Sequence, residues 1–107
     1  MDAKQFNEKT LNALRSYAHE LSGMEQAIML AIKETREVTN PKEIFKELSE
    51  AAEECRELLE YYHSTDPLPA ETRIAAIETI AAIRDCADAL VLSAAIQGNC
   101  RFMPPGE

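Results

Sequence analysis

The sequence predicts an all-α fold, a bundle of four helices completed by oligomerisation. Three observations predict it. Apolar residues recur at three- and four-residue steps through most of the 107 residues, the period of one helix face. Breakers stand at only a few places: Ser22-Gly23, Thr39-Asn40-Pro41 and the loop holding Pro67 and Pro69. Between them alanine, leucine and glutamate dominate, all strong helix formers. No stretch shows the two-residue alternation of a half-buried strand, and there is no internal repeat.

The first predicted helix runs over residues 3–21, with Phe6, Leu11, Leu14, Tyr17, Ala18 and Leu21 along one face. Gly23 offers a stop, because glycine accepts the left-handed conformation of a helix C-cap. A second helix over 24–38 would carry Met24, Ala27, Ile28, Ala31 and Ile32 in line. One bent helix over 3–38 is the alternative.

Asn40-Pro41 marks the clearest boundary. Asn40 can cap the next helix, Pro41 suits its first position, and Glu43 favours the positive N-terminal end. The third helix is predicted over 41–63, with Ile44, Phe45, Leu48, Ala51, Ala52, Cys55, Leu58, Leu59 and Tyr62 in one broad stripe. Glu43, Glu47, Glu50, Glu54 and Glu57 follow one flank of it. After the 63–69 loop, the fourth helix covers 70–97 and is apolar around most of its circumference. Such a helix is central, or shared with another chain, which predicts a homodimer or homotetramer. Residues 1–100 read as one domain, and residues 101–107, with Pro104-Pro105-Gly106, as a frayed tail.

The formal net charge is −8. That disfavours a nucleic-acid polymer, which needs a basic stripe, and an anionic membrane surface. A nucleotide stays compatible, since a metal ion can bridge two anions. No apolar run is long enough to span a bilayer, and Met1 to Gln5 carries no apolar leader. With an odd number of cysteines (Cys55, Cys86, Cys100), reduced thiols in a cytoplasmic protein are expected. His19 and His63 are isolated, and neither a P-loop nor GxGxxG is present.

Two acidic pairs carry what chemistry there is. Glu54 and Glu57 lie on the third helix and Asp85 and Asp88 on the fourth, each pair at i, i+3 and so on neighbouring positions of one face. If the helices pack antiparallel, the four carboxylates can meet and hold a hard cation such as Mg²⁺. At about 100° per residue, Asp88 falls between Ile74, Ile77, Ala81 and Ala95, inside an apolar arc. A buried carboxylate needs a partner: a metal ion, or Arg84 one turn earlier. The plainer reading of the glutamates is a solvated flank. Glu34-Thr35-Arg36-Glu37 is a further ExxE with the same plain reading.

Glu53-Glu54-Cys55-Arg56-Glu57-Leu58-Leu59 resembles the EExxEL segment of the MazG-like, all-α nucleoside triphosphate pyrophosphohydrolases. Asp85-Cys86-Ala87-Asp88, with its apolar continuation, resembles that family's ExxD segment. The resemblance covers residues 44–97. It implies Mg²⁺-dependent hydrolysis of a nucleoside triphosphate to monophosphate and pyrophosphate, the ion activating a water. It further implies Glu54, Glu57, Asp85 and Asp88 as metal ligands, with Glu53 or Glu50 orienting the water. Lys33, Arg36, Lys46 and Arg73 become candidate phosphate contacts. The competing expectation is a non-enzymatic, acidic helical adaptor or inhibitor acting as a dimer.

Overall fold

The computed structural model describes residues 3–64 and 68–97, and it is all-helical. Three helices are present among the described residues: α1 (Ala3–Lys33), α2 (Pro41–Ser64) and α3 (Ala70–Ile96). The expected tail over 101–107, Cys100 and the side chains of Tyr61, Tyr62 and His63 lie outside what is described. No described helix is long and apolar enough to cross a membrane.

The expected break at Gly23 does not occur. Residues 3–21 and 24–33 are one helix of 31 residues. Glycine inside a helix costs only about 1 kcal/mol relative to alanine. On either side of it, Leu21 and Ile28 are buried in the same core cluster, and burying one such side chain contributes about 1.5–3 kcal/mol. Packing therefore carries the helix through the glycine. The helix ends earlier than expected instead. Thr35 adopts φ 54°, and the Arg36 amide donates to Ala31 O at 2.8 Å while the Thr35 amide donates to Ile32 O at 3.1 Å. These two bonds form a Schellman cap, with threonine where glycine is usual. Residues 34–38 are thus connection, not helix. Asn40 is also left-handed, φ 53°, and Pro41 opens α2 as its spacing predicts.

α3 is the middle element. It packs against both α1 and α2, whose backbones do not meet each other. Its inner face is rich in small residues, with two large ones among them: Thr72, Ala75, Ala76, Thr79, Ile83, Cys86, Ala89, Leu90, Ser93 and Ala94 are all buried. Thr72, Thr79, Cys86 and Ser93 recur every seven residues and let α1 approach closely. The Cys86 thiol donates to Leu21 O at 3.1 Å. The Thr79 hydroxyl donates to Ala75 O at 2.7 Å, with Leu14 O at 3.4 Å. Both contacts to α1 span 65 positions, so α1 and α3 run in the same direction. Arg15 on α1 and Glu71 on α3 add an exposed ion pair at 2.6 Å.

The fourth predicted helix is apolar on two faces, as its sequence suggests, but only one face is covered. Ile74, Ile77, Leu92 and Ile96 lie on the outside, between 46% and 58% exposed. Asp88 belongs to this outer face and is exposed. Its place in an apolar arc is correct, and the burial expected for it is not. A helical wheel cannot say which of two apolar arcs meets the core. Here the arc holding Ile83 and Leu90 with Thr79, Cys86 and Ser93 does, because its small residues allow the closest approach to α1.

Candidate functional site

α2 turns Leu48, Ala52 and Cys55 to the core, and that orientation decides where its acids go. Glu54 flanks the stripe on the α1 side. Glu57 and Glu53 are exposed, and Glu53 accepts from Arg56 at 3.2 Å. Asp85 and Asp88 are exposed on α3. Arg84 lines a shallow pocket between α2 and α3 with Arg56, Ile80 and Ala87, and it makes no ion pair with Asp88. Among the described residues no three histidine, cysteine, aspartate or glutamate side chains gather closely enough to hold a metal ion. The two i, i+3 pairs each share a helix face, as predicted, but those faces do not meet within one chain.

The candidate phosphate contacts are also dispersed. Lys33 ends α1 beside Met29 and Leu30. Arg36 pairs with Glu34 at 2.6 Å in the following connection. Lys46 is exposed near the start of α2. Arg73 is exposed in the first turn of α3, and the parallel course of α1 and α3 puts it at the opposite end of the bundle from Lys33.

A groove with a volume of about 770 Å³ runs between α1 and α2. Phe6, Lys9, Thr10, Ala13, Leu14 and Tyr17 line it from α1, and Glu47, Glu50, Ala51, Glu54, Cys55 and Leu58 from α2. Leu14 and Cys55, which join α3's Ala75 and Ala76 in one core cluster, form its floor. Two of the residues assigned from the sequence, Glu50 and Glu54, therefore line this groove, together with Glu47. Their gaps of four and three follow one edge of α2. Lys9 is the charged side chain on the facing wall.

The groove is low in polar chemistry. Burial pushes the Cys55 thiol up, and the Glu54 carboxylate beside it pushes in the same direction. Burial likewise raises the Tyr17 phenol, with smaller contributions from Cys55, Cys86, Glu47 and Glu20. A thiol held protonated is a poor nucleophile. Among the described residues every buried side-chain nitrogen or oxygen has a hydrogen-bond partner, so no orphaned group aims into the groove for a reacting atom.

The role of α1 in this surface was hidden in the sequence. Phe6, Leu14 and Tyr17 read as core stripe, and only the separation of α1 from α2 turns part of that stripe outward. The acidic edge itself is visible as the glutamate run of the third predicted helix.

Comparison with known protein families, curated proteins and solved structures finds no match to this chain. The likeness to the pyrophosphohydrolases rests on the two short acidic segments.

Proposed function

We propose that the protein is a non-catalytic adaptor whose α1/α2 groove accepts a basic amphipathic helix from another protein. The observation that carries this reading is the groove itself, an apolar floor with an acidic edge. In a four-helix bundle each helix touches two neighbours. Here the backbone of α3 approaches both others closely, whereas those of α1 and α2 stay further apart along the groove. A helix laid between α1 and α2 supplies the missing neighbour to each. Its apolar stripe covers Phe6, Ala13, Leu14, Tyr17, Ala51 and Leu58, in the helix-in-groove mode. Its lysines or arginines face Glu47, Glu50 and Glu54, and the charge match favours encounter and orientation. A second copy of this chain fits poorly there, because its α2 brings seven glutamates against three basic residues.

Fluorescence anisotropy tests the reading. The probe is a designed peptide with leucines at i, i+3, i+4 and i+7 and lysines on the flanks. Binding should weaken with salt and should be lost for the same peptide with glutamates on the flanks. Equal binding of both peptides, or of neither, overturns the reading.

Glu50 and Glu54 facing one groove across from Lys9 also favours a second reading, the nucleoside triphosphate pyrophosphohydrolase that the sequence resemblance implies. That reading requires Mg²⁺ and the approach of Asp85 and Asp88 in an assembled form. Pyrophosphate release from nucleoside triphosphates with Mg²⁺ separates the two, since an adaptor releases none.

A further inference from the structure

α2 presents opposite charge to its two neighbours. Toward α1 it sets Glu47, Glu50 and Glu54 along the groove. Toward α3 it sets Arg56, and there a cleft of about 230 Å³ opens between the two helices. Leu48, Ala52 and Ile83, all buried, form its floor. Arg56 from α2 and Arg84 from α3 border it, with Ser49 as the remaining polar residue. No carboxylate lines it, although the chain as a whole carries a net charge of −8.

Two cations on facing helices repel each other, and an anion between them relieves the repulsion. Neither guanidinium is strongly held elsewhere. Arg56 pairs with Glu53 at 3.2 Å, but both side chains are exposed, and such a pair contributes little. Arg84 makes no ion pair among the described residues. Both heads are exposed, while the aliphatic stems of arginines can lie along apolar surface. A hydrated inorganic anion would leave the floor unused, and a neutral apolar molecule would leave the guanidiniums unmatched. The ligand that uses both is anionic at one end and apolar at the other. Its charge is small. Glu53 offsets Arg56, and Asp85 and Asp88 are exposed on the same helix as Arg84, so a second negative charge would be opposed. Its head is planar, because a guanidinium donates two parallel hydrogen bonds to a carboxylate. We infer that the α2/α3 cleft binds a linear monocarboxylate of about six to eight carbons, since a water-sized group occupies about 30 Å³ and the cleft about 230 Å³. The carboxylate sits between Arg56 and Arg84, and the chain lies on Leu48, Ala52 and Ile83.

The cleft is on the α3 side of α2, so it stands or falls independently of what the α1/α2 groove binds. Amide chemical shifts of the full chain, titrated with octanoate, butyrate and octylammonium, test it. Octanoate should bind saturably and shift the amides of Ala52, Ile83 and Arg84. Butyrate, shorter by four methylenes, should bind at least about tenfold more weakly. Octylammonium has the same chain with the opposite charge and should give no saturable shifts there. Arg84 is exposed, so Arg84→Gln should keep the wild-type circular dichroism spectrum and weaken octanoate by about tenfold or more. Four results overturn the proposal: no saturable shift at millimolar octanoate, equal binding of octanoate and octylammonium, octanoate shifts confined to Lys9 and Tyr17 in the other groove, or wild-type affinity in the folded Arg84→Gln variant.

Discussion

The Cys86 thiol lies 3.1 Å from the Leu21 carbonyl, a hydrogen bond from the middle of α3 to the middle of α1. Both residues are fully buried. Burial pushes this thiol from its ordinary 9.0 up to about 11, with Glu25 and Asp85 adding to the rise and the Glu25 amide opposing it. Between those two values the folded chain keeps a proton that the unfolded chain gives up. The stabilisation is therefore complete below pH 9 and lost as pH rises to 11. Melting temperatures across that window should fall, and Cys86→Ser should flatten the fall while keeping a donor to Leu21. The raised Cys55 and Tyr17 leave a remaining slope in the same direction. An unchanged slope in Cys86→Ser would show that the thiol is not held in this way.

Gly23 stands in the middle of α1, exposed, and a Cβ built there meets nothing within 4 Å. Gly23→Ala should therefore raise stability by about 1 kcal/mol. For a domain of this size that corresponds to a rise in melting temperature of roughly 4–8 °C. A drop would indicate that α1 bends at this position in solution.

Thr35 is β-branched and left-handed, φ 54°, a conformation that glycine adopts without cost. Thr35→Gly should stabilise the α1 terminus by about 1 kcal/mol. Hydrogen exchange at the Arg36 amide, which donates to Ala31, should slow to match. Faster exchange there would mean that the cap does not control the end of α1.

Much of this fold is legible in the sequence. The starts of all three helices follow from periodicity, Asn40-Pro41 and Pro69. The sequence leaves open whether a helix breaks at Gly23 or runs through it, because a glycine's small backbone cost is visible in the sequence, whereas the packing of Leu21 and Ile28 in the core is not. The same limit explains Asp88. Its neighbours Ile74, Ile77, Ala81 and Ala95 are read correctly as one apolar arc. Nothing local says that Thr79, Cys86 and Ser93, on the opposite side, provide the closer approach to α1. Of the candidate site, the acidic edge of α2 could be read, and the facing wall of Lys9, Ala13 and Tyr17 could not. That wall depends on α3 holding α1 and α2 apart.

Glu57 is exposed and belongs to no group of acids able to hold an ion among the described residues. Millimolar Mg²⁺ should leave the wild-type melt unchanged, and Glu57→Gln should shift stability by less than about 0.5 kcal/mol. A Mg²⁺-dependent rise in the melting temperature that Glu57→Gln abolishes would establish a metal site and favour the pyrophosphohydrolase reading.

Amide chemical shifts recorded while the lysine-flanked amphipathic peptide is titrated into the full chain test the groove most directly. Saturable shifts should concentrate at Lys9, Ala13 and Tyr17 on α1 and at Glu47, Ala51 and Leu58 on α2, and Glu50→Lys combined with Glu54→Lys should remove them. Shifts confined to Ile74, Ile77 and Leu92 on the outer face of α3, or shifts that survive the double charge reversal, would contradict the adaptor groove.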